Sequence, residues 1–268
     1  MFISVVSERS TNSASATAKI DLSIARTRRE LEDAFRLVYN SYTRAGLQQH
    51  NKIGLRLVKH HFLPTTEVMI AKKDETVIST ATLIVDSELG LPAESMYGDS
   101  IDSLRRRGMR LAEVGCLADR RASPARFIQM FRRLSTLISQ AAETRGCNGL
   151  IAATHPRHAR FYIRQLGFEQ VGDIRECPYV QGNPAVPLLL DFDAKVGSDI
   201  HKHLFGTKYA PSELAPYDWC FSTTDYFRRV MTELQKPLSE QQSIAAQGAG
   251  IPPRVDLPTT STGAFQSS

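Results

Sequence analysis

The chain has few of the features that fix a function outright. Its 268 residues include four cysteines, Cys116, Cys147, Cys177 and Cys220, and no two of them form a CxxC pair. Neither a structural zinc site nor a dithiol redox centre is signalled, so reduced thiols in a cytoplasmic setting are the expectation. His155 and His158 have the spacing of two metal ligands, but no third ligand accompanies them and no metal is expected. Apolar runs long enough to span a membrane are missing. Met1–Val6 is too short for a secretory core and has no basic lead. Zinc-finger spacing, an RNA-recognition motif and basic heptads are also missing, which argues against nucleic acid as a partner.

What the chain does have is a core's worth of apolar residues and one concentration of charge. Hydrophobic residues make up 42% and charged residues 23%, the proportions of a globular protein with a packed interior. Residues 105–133 carry nine arginines against Glu113 and Asp119, a local charge of +7 in a chain whose net charge is +5. The remainder is therefore slightly acidic. Such a patch is either a solvated face or a dock for an acidic partner.

Residues 1–24 are rich in Ser, Thr and Ala and read as a flexible tail. Thr27 and Glu30 fit a capping box, and Leu31, Ala34, Phe35, Val38 and Tyr42 follow at helical spacing, predicting a helix over 28–43. Glu67–Lys73 and Val77–Val85 predict a β-hairpin, and Asp86–Gly98 a loop. Arg110–Ala118 predicts a strand with Leu111, Glu113, Gly115 and Leu117 on one face and Ala112, Val114, Cys116 and Ala118 on the other. Ser123-Pro124 then opens a long helix, with Ser at the cap and Pro where its missing N–H costs nothing. Gly149–Thr154 reads as a buried strand, about 156–166 as a helix stopped by Gly167, and 168–173 and 186–192 as strands. The order predicts an α/β domain with a mixed sheet. Two helices beyond residue 195 and a polar, Pro- and Gly-containing tail from about 237 complete the chain.

Several fragments together resemble a known family. These are Glu113-Val114 with Leu117-Ala118, His155-Pro156-Arg157-His158 with Phe161-Tyr162, Leu166-Gly167-Phe168, and Pro184-Ala185-Val186-Pro187-Leu188. Leu91-Pro92 and Leu104-Arg105, with Gly108 and Leu111, fit the same pattern. The set resembles the FeeM-type N-acyl amino acid synthases over about residues 28–193. That resemblance implies a GNAT-like mixed β-sheet flanked by helices, here as a domain over 25–194. A small C-terminal helical extension at 195–236 and a disordered tail at 237–268 would follow. It also implies transfer of a long-chain fatty acyl group from acyl carrier protein, through its phosphopantetheine thioester, to the amino group of an amino acid, with no bound cofactor. The related acyl-homoserine-lactone synthases carry Glu-x-Ser-Arg-Phe on the corresponding strand. This chain reads Glu113-Val114-Gly115-Cys116-Leu117, so lactone synthesis is not implied.

The resemblance assigns roles to particular residues. Glu113 is the candidate base, with a structural ion pair to Arg110 or another arginine of the cluster as the plain alternative. Tyr162 is the candidate acid for the leaving thiolate, with core packing as its alternative, because it precedes Gly167 by one residue more than the tyrosine in many acetyltransferases. Arg120, Arg121 and Arg126 are expected to meet the carrier protein or its phosphate. Arg110, Arg157 and His158 are expected near the acceptor. In acetyl-CoA-using relatives a glycine-rich turn cradles pyrophosphate with backbone N–H groups. Here Pro124 has no N–H to give and Arg126 adds bulk. Two other readings remain, a CoA-dependent N-acetyltransferase and a non-catalytic module that binds an acylated carrier protein.

Overall fold

The computed structural model describes residues 20–120 and 124–236, with only the backbone of 124–126. The described residues up to Leu234 form one compact unit. The expected tail at 237–268 lies outside the described residues.

The core of the unit is an eight-stranded sheet. Its strands are β1 (Ile20–Ile24), β2 (Thr66–Lys73), β3 (Thr76–Val85), β4 (Leu111–Asp119), β5 (Gly149–Thr154), β6 (Glu169–Gln170), β7 (Arg175–Glu176) and β8 (Pro184–Asp191). They run in the order β1-β2-β3-β4-β5-β8-β6, with β7 also on β8. Every pairing is antiparallel except β4 with β5. β1 corrects the expectation of a flexible segment reaching residue 24. Its five residues pair with Met69–Lys73 at the sheet edge. IDLSI is too short to show an alternation, and its partner strand supplies the order.

Among the described residues seven α-helices cover the sheet: α1 (Arg28–Arg44), α2 (Glu94–Arg106), α3 (Pro124–Thr144), α4 (Pro156–Leu166), α5 (Asp199–Phe205), α6 (Pro211–Leu214) and α7 (Phe221–Gln235). The Thr27–Glu30 capping box forms as expected. α4 ends at Gly167, which adopts φ +73°; a Cβ there would meet Ile200 Cδ1 at 2.4 Å. α2 takes the last five residues of the loop expected at 86–98 and runs on through residues 100–106, where the sequence suggests a helical turn. Gly98 and the non-helical backbone at Tyr97 break the periodicity that would have revealed its first turn.

Two cores lie on opposite faces of the sheet. α1, α2 and α7 pack on one, through Phe35, Val38, Tyr97, Leu104 and Phe227. α3, α4, α5 and α6 pack on the other, through Phe131, Leu134, Tyr162, Leu166, Phe205 and Leu214. The C-terminal helices are thus part of both faces. Buried Gln140 of α3 fastens them by donating to the Leu204 and Thr207 carbonyls at 2.8 and 2.7 Å and accepting from Tyr209 N–H at 2.9 Å. Buried amides that are fully paired in this way fix one arrangement rather than several.

Candidate active site

The site begins where β4 and β5 part. The two strands pair only at Leu111↔Gly149, Ala112↔Leu150 and Glu113↔Ile151. Beyond Glu113 both continue without pairing to each other, so a wedge opens between Val114–Asp119 and Ala152–Thr154. Backbone N–H groups along that wedge have no partner strand on that side.

A bulge in β4 shapes the same place. Thr80 pairs with Ala118 and Thr82 with Gly115, so one extra residue of β4 lies opposite Ala81. Cys116 takes up the extra residue with φ +49°, a left-handed conformation uncommon for a side chain that is not glycine. The bulge also resets the alternation. Leu117 packs with Ala112 and Val114 on the α3 face, while Cys116 and Ala118 join Leu111 on the α1 face. The strict two-residue period predicted the reverse for Leu117, Cys116 and Ala118. One extra residue moves every later side chain to the other face.

Glu113 is the last residue before the parting, and it is 5% exposed. Its Oε2 accepts a hydrogen bond from Ala93 N–H at 2.7 Å, at the N-terminus of α2. Burial pushes its pKa up to about 7, against the pull of that N–H. The alternative of an ion pair with Arg110 does not hold. Arg110 is exposed at the far end of the strand, and its Nε donates to the Gly146 carbonyl. Among the described residues no cation is paired with Glu113. A buried carboxylate poised near neutrality and lacking a counter-ion is the kind of group that takes and returns protons.

Glu113 opens onto a cavity of about 70 Å³ on the α1 face. Tyr42, Arg56, His60, Met96, Gly115, Cys116, Ala153 and Tyr179 also line it. Arg56 and His60 escaped the sequence reading. They come from the segment between α1 and β2, whose text is polar and irregular, and only the tertiary fold carries them to β4. That segment is pinned at several points. Asn51 Oδ1 accepts from Gly54 N–H at 2.8 Å, and Gly54 turns the chain at φ +69°. His61 accepts from Val58 N–H at 3.0 Å through Nδ1, which leaves its proton on Nε2 for Thr82 Oγ1 at 3.2 Å. Burial holds His61 far below the ordinary histidine range, at about 3, so it stays neutral. Burial likewise lowers His60, and raises the Cys116 thiol against the pull of Arg56, so Cys116 is not poised as a thiolate nucleophile.

The remaining expected residues lie elsewhere. Arg110 borders a separate hollow with Asp86, Arg105 and Arg145, not the cavity of Glu113. Arg157 and His158 sit in the first turn of α4, where Arg157 Nε meets His158 Nε2 at 3.0 Å. α4 packs on the α3 face, opposite the cavity. None of the three lines the pocket that contains Glu113, so the acceptor role expected for them lacks support. For Arg157 and His158 the reason is topological: a motif that follows β5 is delivered to the other side of the sheet. Burial and the Arg157 charge hold His158 down at about 4. Arg120 is exposed at the end of β4, its N–H bonded to the Ile78 carbonyl at 2.8 Å. Arg121, Ser123 and the side chain of Arg126 lie outside the described residues.

Tyr162 is 1% exposed among Phe131, Phe161 and Phe168, on the α3 face. Burial drives its phenol far above the ordinary tyrosine range. Its hydroxyl lies beside that of Thr154, the last residue of β5, yet neither completes a hydrogen bond. Both are aligned with the side of the wedge opposite the cavity, since Thr154 shares its strand face with Ala152. Among the described residues no group of three or more His, Cys, Asp or Glu could hold a metal, and no helix is long and apolar enough to cross a membrane.

Comparison with known proteins fits this geometry. No curated protein sequence matches the chain. The solved structure of FeeM, an N-acyl amino acid synthase from uncultured soil microbes, is similar at 24% identity and a TM-score of 0.55, over 65% of this chain and 93% of that one. The AHL synthase LasI is similar at 13% identity and a TM-score of 0.52, over 72% of this chain and 98% of that one. Both likenesses establish a GNAT-like fold. The family model for the N-acyl amino acid synthase FeeM matches residues 33–191, which span β2 to β8 and both sides of the wedge. With that match over more than half its length, the chain belongs to the FeeM N-acyl amino acid synthase family and is an N-acyltransferase.

Proposed function

We propose that the protein transfers a long-chain fatty acyl group from acyl carrier protein to the α-amine of an amino acid, by direct attack on the thioester. The observation that carries this reading is Glu113, buried and without a counter-ion at the mouth of the β4–β5 wedge. In the proposed sequence the acceptor occupies the α1 face and the pantetheine arm enters the wedge from the α3 face. Glu113 takes a proton from the ammonium group, directly or through a water, and the free amine attacks the thioester carbon. Unpaired backbone N–H groups between Val114 and Cys116 face the developing oxyanion. As the intermediate collapses, the C–S bond breaks and the thiolate collects a proton from Tyr162, whose phenol is restored by the second proton that the acceptor nitrogen gives up on becoming an amide. Glu113 ends protonated and returns its proton to solvent.

The choice of donor rests on charge and on one missing N–H. Pro124 opens α3 without a donor at the place where a pyrophosphate cradle needs one. Arg120, Arg121 and Arg126 lie close together in the sequence around that point, and carrier proteins offer an acidic surface with a single phosphate. The test is turnover with acyl carrier protein carrying a C14 chain, against the same chain on CoA and against acetyl-CoA, over a panel of L-amino acids read by mass spectrometry. Preference for the carrier-protein donor is expected. Arg120→Glu is expected to raise KM for acyl carrier protein about tenfold at low salt, while leaving a small acyl-thioester donor unaffected. Equal or better use of acetyl-CoA would replace this reading with a CoA-dependent N-acetyltransferase, and binding without turnover would leave a non-catalytic module.

Tyr162 gives a separate expectation. Tyr162→Phe removes a buried hydroxyl that has no partner, so stability should hold or rise slightly. If the phenol protonates the leaving thiolate, kcat should fall about tenfold or more, and least for a donor with an acidic thiol. An unchanged kcat would return Tyr162 to the core.

A further inference from the structure

The cavity beside Glu113 contains one permanent cation, Arg56, and its surroundings are incomplete. Arg56 is half-buried. One Nη donates to Gln48 Oε1 at 2.8 Å and the other to the Tyr179 carbonyl at 2.7 Å. The guanidinium lies over the Tyr42 ring, 4.7 Å from its centroid. Its Nε is buried and has no hydrogen-bond partner. All of its partners are neutral, and among the described residues no carboxylate forms an ion pair with it. Elsewhere in the molecule arginines in comparable surroundings do have acids: Arg105 is held by Asp86, Glu94 and Asp102, and Arg145 by Glu67. Removing a guanidinium from water without an anion is unfavourable, and an anionic ligand reverses the balance through charge-assisted hydrogen bonds.

The other lining residues say which anion. Arg56 and Glu113 open onto the same cavity, and Tyr42, Ile84, Met96 and Val180 are among its other walls. A carboxylate at Arg56 and an amine at Glu113 are the two ends of an α-amino acid, while its side chain would face those apolar walls. A phosphate or pyrophosphate fits less well, because among the described residues no second arginine or lysine lines the cavity. We propose that Arg56 anchors the α-carboxylate of the acceptor and so presents its amine to Glu113. This rests on the reading of the acceptor as an amino acid. It makes Arg56 a substrate-binding residue whose loss weakens binding more than chemistry.

The experiment compares wild type, Arg56→Lys and Arg56→Met with L-amino acids and the corresponding amino acid amides as acceptors. In parallel, calorimetric titration with the same compounds needs no turnover. Wild type is expected to prefer the acid over its amide by at least 50-fold in kcat/KM. Arg56→Met should raise KM for the acid by about that factor, leave kcat within threefold, and leave the amide unchanged, with Arg56→Lys recovering part of the preference. Equal losses for acid and amide in Arg56→Met would show a purely structural role and overturn the proposal. Wild type that does not distinguish acid from amide would overturn it too, whether or not the variant folds. If wild type acylates no amine from any donor, the proposed function fails by itself. The titrations still decide the inference: amino acids that bind wild type but not Arg56→Met support it, and equal binding to both sinks it.

Discussion

Glu113→Gln is expected to fold, to lose about 10²–10⁴-fold in kcat, and to become more stable than wild type above neutral pH. The amide keeps the acceptor atom for Ala93 N–H, so α2 stays docked on β4. It cannot take a proton, so the ammonium form of the acceptor stays unreactive. The pH dependence follows from the same group. With a folded pKa of about 7, wild-type kcat/KM should rise with pH up to about 7, and that limb should vanish in the variant. Stability runs the opposite way. The folded protein holds the Glu113 proton up to about 7, whereas the unfolded chain releases it near the ordinary 4.5. Between those values the folded state binds more protons, so this carboxyl's contribution worsens as pH rises. Above pH 7 the whole cost of burying the charge is present, about 3 kcal/mol. Glu113→Gln removes that cost and should gain about 1–3 kcal/mol at pH 8, with the gap closing towards pH 5, as read from urea unfolding at both pH values. Turnover within threefold of wild type would end the claim that Glu113 is the base. Loss of activity together with loss of stability at pH 8 would recast it as a structural acid.

Much of the site's frame could be read from residues in order along the chain. Glu113 stood out because an acid inside an apolar strand is costly unless it is used. α4 was bounded by His155-Pro156 and by Gly167, both local signals, and the structure places its ends there. The charge cluster was visible because it is contiguous. What could not be read depends on where segments meet. Arg56 lies in a polar connection and becomes a site residue only when His61 and Thr82 pin that connection to the sheet. The Cys116 bulge is set by the register of β3 against β4, a pairing between segments about thirty-five residues apart, and it overturned a face assignment based on strict alternation. Arg110, Arg157 and His158 were chosen by charge and nearness in sequence to Glu113 or to the resemblance. The sheet separates Arg157 and His158 from the cavity, since chain order does not say which face a helix will cover, and Arg110 borders a different hollow.

The largest expected loss of stability lies away from the cavity, at Arg145. Its side chain is 10% exposed and its Nη2 pairs with Glu67 of β2, whose side chain is 2% exposed. The same nitrogen donates to the Leu214 carbonyl at 3.1 Å, and Nη1 donates to the Ala141 carbonyl at 2.6 Å. One guanidinium therefore joins the end of α3, the sheet and the C-terminal helix α6. Burial raises the Glu67 pKa even with Arg145 beside it. Arg145→Met should consequently cost about 3–5 kcal/mol at pH 8, because it leaves a buried carboxylate without its partner. At pH 5 the loss should be smaller, since Glu67 can then take a proton instead of remaining charged. Glu67→Gln combined with Arg145→Met should recover much of the loss, which separates the unpaired charge from the lost hydrogen bonds to Ala141 and Leu214. Hydrogen exchange should rise first in Pro211–Leu214, whose carbonyl end loses its anchor. A loss below 1 kcal/mol, or a double variant as unstable as the single one, would show that α6 is held by Leu214 and its apolar neighbours alone. The predicted order of effects puts the helical extension among the supports of the α3 face, from which the proposed donor must enter. A weakened Arg145 should then raise KM for the acyl donor while leaving KM for the acceptor unchanged.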